Sequence, residues 1–400
     1  MPLAAPARAA DPAQEALANE IQAIIDGRNW PAAEWSVLAV SLDTGDTLFA
    51  RSPDLPLAPA SNVKLLTTAA ALHYLGPGYR FRTFLIADGP IENGVLDGDV
   101  VLYGTGDPSL SDRFFGTGTA ILERLTDGLM AAGIHRITGD VVGDGTLLPG
   151  RGIPVDWDPE SLNDWYAAPA TALAFNENVF RLRVAAQGEG SPPTVETVPA
   201  DAGLPISNQA VTSRRGTRNR LAVVRAHPDD SVTVVGEIPQ GSRDVWRQLT
   251  VADPETFAAT ALKRVIEDAG ISVGGQARRA RDLRESPIPQ DALWAPGLVA
   301  STGPMILATH DSPPLIDLLE VVNKESHNLY AELIFRTIGL QVSGDGSSRG
   351  RAESVEAYLV QEVGCAPDQA QRTDGSGLSP TNRVSAGAIN RTVENMAESP

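Results

Sequence analysis

The chain has 400 residues, 42% hydrophobic and 20% charged, with a net charge of −18, enough for two or three domains with cores of their own. So acidic a balance argues against nucleic acid, which needs a basic face, and against simple adsorption to anionic lipid. No apolar run approaches the ~18 residues of a membrane span, and a single cysteine, Cys365, rules out an intramolecular disulfide.

Residues 1–12 form an Ala/Pro-rich leader. Its Ala7-Arg8-Ala9 matches the A-x-A end of a secretory signal, but no charged region and no apolar region precede it. An exported protein with a trimmed signal and an ordinary disordered leader are both open readings. Residues 13–26 read as an amphipathic helix closed by Gly27. A strand over 35–42, a turn at 43–46 and a return strand over 47–51 form a hairpin. The hairpin leads into Ala60-Ser61-Asn62-Val63-Lys64-Leu65-Leu66-Thr67-Thr68-Ala69-Ala70-Ala71-Leu72, a helix that stops at Gly76-Pro77-Gly78.

From Phe81 the texture changes. Short β-like segments (81–87, 100–103, 137–142) alternate with Gly/Asp turns, and one helix covers 119–132. Gly104-Thr105-Gly106-Asp107-Pro108 is no phosphate loop, because no Gly-Lys-Ser/Thr ending and no helix follow it. Like Gly143-Asp144-Gly145, it reads as a solvated turn. A strand over 179–184 precedes a Gly/Pro/Ser/Arg-rich stretch, 187–220, that reads as a small β subdomain. Strands over 221–225 and 231–236 follow, then a helix over 254–268 and a polar Arg/Pro-rich connection over 276–298. After Pro313-Pro314 the pattern is helical again, with helices over 315–324, 329–338 and 351–363. The turn Thr373-Asp374-Gly375-Ser376-Gly377-Leu378-Ser379 and a last helix over 384–396 close the chain.

Two motifs carry chemistry. Ser61 and Lys64, three apart, share one face of a helix, with Ser61 or Asn62 able to cap its first turn. A serine is a weak nucleophile without an adjacent base. A lysine serves as that base only if burial or positive charge lowers its pKa, and the surrounding Val63, Leu65, Leu66, Ala69 and Ala70 offer burial. The helix N-terminus adds N–H groups and a positive dipole end for a developing oxyanion. The bland alternative is a capping serine with a snorkelling lysine. Against it, the chain has only three lysines, Lys64, Lys263 and Lys324, and Ser-x-x-Lys occurs once. The second motif is Ser326-His327-Asn328, at the junction of two helices. Its hydroxyl suits proton relay to a leaving amine, and its amide suits holding a substrate peptide group. Ser161-Leu162-Asn163 matches the same pattern by chance, among Trp, Asp and Pro. The five histidines are scattered without ligand spacing, so no metal or other cofactor is implied.

The order Ser-x-x-Lys then Ser-x-Asn resembles the serine penicillin-recognising enzymes. Four more stretches narrow the resemblance to the class C low-molecular-mass penicillin-binding proteins, the D-alanyl-D-alanine carboxypeptidase/endopeptidases. These are Tyr103 to Pro108, Trp165-Tyr166-Ala167-Ala168-Pro169, Asn323 to Asn328 with Ala331-Glu332, and Asp374 to Ser379. The resemblance implies a multi-domain α+β fold, a penicillin-binding (β-lactamase/transpeptidase-like) catalytic domain split by a large β-rich insertion. Its catalytic domain would comprise 13–82 and 301–400. The insertion would comprise 83–186 and 246–300, with the small β subdomain 187–245 nested in it.

It further implies Ser61 as the acylated nucleophile, Lys64 as proton acceptor, Ser326 as shuttle to the departing D-alanine and Asn328 as the holder of the substrate peptide. His327 receives no chemistry, Lys324 a structural ion pair, and 374–379 a turn near the cleft. The partners implied are peptidoglycan stem peptides, with β-lactams as inhibitors, in the periplasm. The family's third motif, Lys-Thr-Gly on an edge strand downstream of the Asp-Gly-Ser-Gly stretch, has no match here; Ser301-Thr302-Gly303 lies upstream. The expectation is a C-terminally truncated chain with impaired activity, since loss of one oxyanion donor alone costs about 10²–10³ in rate. A wall-binding scaffold without catalysis, and a Ser/Lys β-lactamase or esterase, are the competing readings.

Overall fold

The computed structural model describes residues 12–27, 33–200, 204–225, 231–288, 304–344 and 346–398. The leader and the Ser301-Thr302-Gly303 tripeptide lie outside them. Nine helices are described: α1 (Pro12–Asp26), α2 (Val63–Leu75), α3 (Asp112–Phe115), α4 (Ala120–Ala131), α5 (Pro254–Asp268), α6 (Leu315–Lys324), α7 (Asn328–Ser343), α8 (Ser348–Gln361) and α9 (Ala386–Glu398).

One body is helical. α2 is apolar nearly all round, as a helix enclosed by others must be, and it packs against α6, α7, α8 and α9. Val63, Leu66, Ala70, Val322, Ile334, Phe335 and Ile338 form its fully buried core. The chain leaves α2 at Gly76, whose φ of +78° an L side chain would resist. The hairpin Val37–Val40 with Thr47–Arg51 is antiparallel and lies against α9, with α1 beside its second strand.

A second core belongs to a five-stranded sheet. Its strand order is Ala277–Arg279, Val141–Asp144, Asp99–Gly104, Arg82–Asp88, Met305–Asp311, and α4 and α5 pack on it. The interior of Arg82–Asp88 is buried throughout, Thr83 to Ala87, which explains its unbroken apolar run. The edge strand Met305–Asp311 pairs antiparallel with it, although the sequence reading assigns no element there. Most of this strand is only half-buried, so its period-2 signal is weak. The polar connection expected over 276–298 likewise begins as a strand, Ala277–Arg279, parallel to Val141–Asp144. Between these elements, smaller sheets are built from Val179–Ala185, Thr194–Val198 and Val245–Thr250, and from Ile206–Asn208, Ala222–Arg225 and Val232–Val235.

The two acidic turns are not solvated as expected. Asp107 and Asp144 are 1% and 0% exposed. The first turn is drawn inward by a Gly106 N–H bond to the Ala172 carbonyl, 2.7 Å, and Asp107 accepts from the Ser109 amide and hydroxyl at 2.8 and 2.7 Å. Burial pushes Asp107 up to about 7 despite these bonds. Among the described residues, no His/Cys/Asp/Glu group is arranged to hold a metal ion, and no helix is long and apolar enough to cross a membrane.

Candidate active site

The chain enters α2 through a 3-10 turn, Ala60–Asn62. Ser61 and Asn62 do not act as caps: no side-chain cap bond is made at either helical start. The reason is geometric, because the Ser61 hydroxyl faces Lys64 and Ser326 instead. Ser326 Oγ donates to Ser61 Oγ at 2.9 Å, and Lys64 Nζ lies 3.3 Å from the same oxygen.

Lys64 is 2% exposed. Its amine also donates to Asn328 Oδ1 at 2.7 Å and to the Ser376 carbonyl at 2.6 Å. Burial lowers it to about 8, against the opposing charges of Glu332 and Asp374. The three acceptors have different consequences. A neutral amine keeps two protons and one lone pair. The two short bonds occupy the two protons, which leaves the lone pair for the third and longest contact, Ser61. When neutral, the amine thus presents its lone pair to the Ser61 hydroxyl.

Asn328 opens α7. Its amide bridges the site, accepting from Lys64 and donating through Nδ2 to the Tyr166 carbonyl at 2.8 Å. The structure therefore brings Ser61, Lys64, Ser326 and Asn328 into one constellation, with Ser61 and Ser326 265 positions apart. Lys324 instead pairs with exposed Glu320 one turn back on α6. His327, given no chemistry, is buried and contacts Glu177 at 3.0 Å.

Sequence reasoning placed the 374–379 turn near the cleft but missed what three groups do there. The Ser376 carbonyl, a backbone group, is Lys64's shortest acceptor. Asp374 builds the turn that aims it, accepting from Trp157 Nε1 (2.9 Å), the Gly377 and Ser379 amides (2.9 and 2.6 Å) and Asn382 Nδ2 (2.8 Å). Glu332, fully buried on α7, accepts the Gly375 and Ser376 amides at 2.9 and 2.8 Å, while the Thr67 hydroxyl donates to the Gly375 carbonyl at 2.8 Å. Burial, then the neighbouring Asp374, raises Glu332 to about 7. The sequence signal was the acidic residue four positions after Asn328, which is one helical turn along the same face.

Known proteins carry the same arrangement of chain. The D-alanyl-D-alanine carboxypeptidase of an Actinomadura species is 30% identical over 380 residues, covering 93% of this chain and 66% of that protein. The D-alanyl-D-alanine carboxypeptidase DacB of Haemophilus influenzae is 26% identical over 341 residues, covering 85% and 66%. The chain thus spans about two thirds of the length of these curated relatives. The crystal structure of penicillin binding protein 4 (dacB) from Haemophilus influenzae superposes with a TM-score of 0.74 at 24% identity, over 91% of this chain and 75% of that one. At that identity the likeness establishes the fold, the multi-domain α+β fold of a penicillin-binding protein. The profile of the D-Ala-D-Ala carboxypeptidase 3 (S13) family matches residues 17–400, and the chain belongs to that family.

Proposed function

We propose that this chain carries the acyl-transfer site of a serine-type D-Ala-D-Ala carboxypeptidase/endopeptidase, exported to the periplasm, that acts on peptidoglycan stem peptides and is acylated by β-lactams. The observation that carries the reading is the buried Lys64 amine, which makes short bonds to Asn328 Oδ1 and the Ser376 carbonyl and has Ser61 Oγ as its third contact, at 3.3 Å. Lys64 takes the Ser61 proton as Oγ attacks the carbonyl of the penultimate D-alanine. N–H groups at the start of α2 offset the charge of the tetrahedral oxygen. The peptide C–N bond then breaks, and Ser326 passes a proton to the departing amine. Water attacking the ester releases the product and restores Ser61. In a β-lactam the departing amine stays tethered, so the ester persists. The chemistry is assigned to residues 13–82 and 301–400. The insertion between them supplies the cleft wall, for Tyr166 touches Asn328 and Glu177 touches His327.

Incubation with a fluorescent penicillin, read by intact mass, tests this. One long-lived penicilloyl adduct is expected on the wild type and none on Ser61→Ala. An unmodified wild type would contradict the reading and favour a non-catalytic scaffold. Rapid turnover of the β-lactam would favour a β-lactamase.

A pH profile gives a second check. The base acts when neutral, so acylation rises with pH through the Lys64 value of about 8. Glu332→Gln removes a negative charge that holds this value up while keeping an acceptor for Gly375 and Ser376. The rise is expected to move to lower pH. A rise that stays put or moves to higher pH would show that Glu332 does not tune the base.

A further inference from the structure

Ser326 has a backbone conformation that its side chain does not favour. Its φ is +58°, in the left-handed region, where a non-glycine residue persists only if its surroundings hold it. Both neighbours of Ser326 are tied down. His327 is 4% exposed; its Nε2 meets Glu177 Oε2 at 3.0 Å, and its ring lies 4.7 Å from that of Tyr330. On the other side, Glu325 accepts from Arg113 Nη1 at 2.7 and 2.6 Å through its two carboxylate oxygens. The same Arg113 donates through Nε to Glu177 Oε1 at 2.8 Å. Glu177 therefore grips one flank of Ser326 directly and the other through Arg113.

Glu177 is itself held in place with care. Asn176, Glu177 and Asn178 have φ values of +50°, +58° and +54°. Asn178 fixes this turn by accepting from the Phe175 amide at 3.1 Å and donating to the Pro169 carbonyl at 2.7 Å. Asn176 adds bonds to the Val179 carbonyl, through Nδ2, and to the Leu110 carbonyl, through its amide, both 2.8 Å. Burial works against the Glu177 carboxylate, but His327 and Arg113 outweigh it and bring the group down to about 2. The clamp is thus a fixed anion that reaches into the site from a segment 150 residues away.

We infer that Glu177 and Arg113 are positioning residues that clamp the two neighbours of Ser326 and so hold its hydroxyl against Ser61. The inference rests on the acyl-transfer reading above. Without the clamp Ser326 relaxes out of the left-handed region, its Oγ leaves Ser61, and the departing amine loses its proton source. Lys64 and Asn328 keep their own bonds, because none of these runs through Glu177.

The test measures penicillin acylation. In Glu177→Ala the acylation rate constant is expected to fall about 10- to 100-fold, with pre-acylation affinity within about threefold. Glu177→Gln is expected to fall between wild type and Glu177→Ala. On a Ser326→Ala background, Glu177→Ala is expected to cost less than about twofold more, because the two changes remove one function. A full additional loss on that background, or no loss in the single variant, overturns the inference. If the wild type is not acylated at all, the acyl-transfer reading fails. Crystal structures of wild type and Glu177→Ala then decide the clamp alone. A Ser326 that leaves the left-handed region supports it, and an unmoved Ser326 overturns it. Should Glu177→Ala not fold, Arg113→Met releases the Glu325 flank and is judged by the same two readouts.

Discussion

Lys64→Ala is expected to slow the acylation of Ser61 by penicillin about 10⁴-fold, the upper range for loss of a general base, with Ser61 itself intact. Groups that act as one unit lose nearly everything when one is removed, and Lys64 touches Ser61, Asn328 and the Ser376 carbonyl together. Lys64→Arg is expected to fare no better, since a guanidinium does not deprotonate. A retained rate in either variant would remove Lys64 from the mechanism. The same residue leaves a mark on stability. Its amine titrates at about 8 in the fold against 10.5 for the ordinary side chain. Between these values the unfolded chain binds more protons at this residue, so the contribution of Lys64 to stability rises with pH across that window, by on the order of 3 kcal/mol. Below pH 8 both states are protonated and the burial penalty stands in full. In denaturation at pH 8 and pH 10 the wild type should gain stability relative to Lys64→Met, a difference that cancels the slopes of Cys365, Tyr79 and Tyr103, which burial raises in both proteins.

Gly377→Ala is expected to damage both stability and chemistry. Gly377 has φ +84°, and an added Cβ would sit 1.9 Å from the Ala60 carbonyl oxygen and 3.1 Å from the Ser61 nitrogen. Both are backbone atoms, so no side chain can swing aside. Either the 374–379 turn moves off Lys64 or the Ala60–Asn62 turn carries Ser61 away. A loss of about 2–4 kcal/mol in unfolding free energy is expected, together with an acylation rate about 100-fold lower. Gly364→Ala is the control. Its φ is +74°, yet nothing lies within 4 Å of the new Cβ, so it should cost some stability and leave acylation unchanged. Equal effects at the two glycines would mean that Gly377 matters only for its backbone angle.

Much of the candidate site's geometry was legible because side chains carry it. Ser61 and Lys64 declare themselves by helical spacing and by the scarcity of lysine, and Ser326 and Asn328 by their place between two helices. The Ser376 carbonyl could not be read, since every residue has one and only the bonds to Asp374 and Glu332 aim it at Lys64. The contact of His327 with Glu177 had no local signal, because the two are 150 residues apart. The same limit governed the fold. The long helices follow from apolar periodicity, but Asp107 and Asp144 sit in turns that composition marks as solvated and tertiary contacts bury. The edge strand Met305–Asp311 owes its existence to Arg82–Asp88, and no local signal announces it.

That last pairing bears on how the protein is made. The partner of Arg82–Asp88 emerges from the ribosome about two hundred residues later, roughly 10–40 s at ordinary synthesis rates. The nascent chain must carry an apolar strand edge uncovered for that time, which exposes it to mispairing and makes it a natural client for a holding chaperone. The candidate site waits still longer, because the Ser376 carbonyl arrives 312 residues after Lys64. The Lys64 contacts around Ser61 cannot be complete until the 374–379 turn has been synthesised and packed against α2. If the proposed acylation holds, penicillin pulse-labelling during refolding would time the closure of the 374–379 turn onto Lys64.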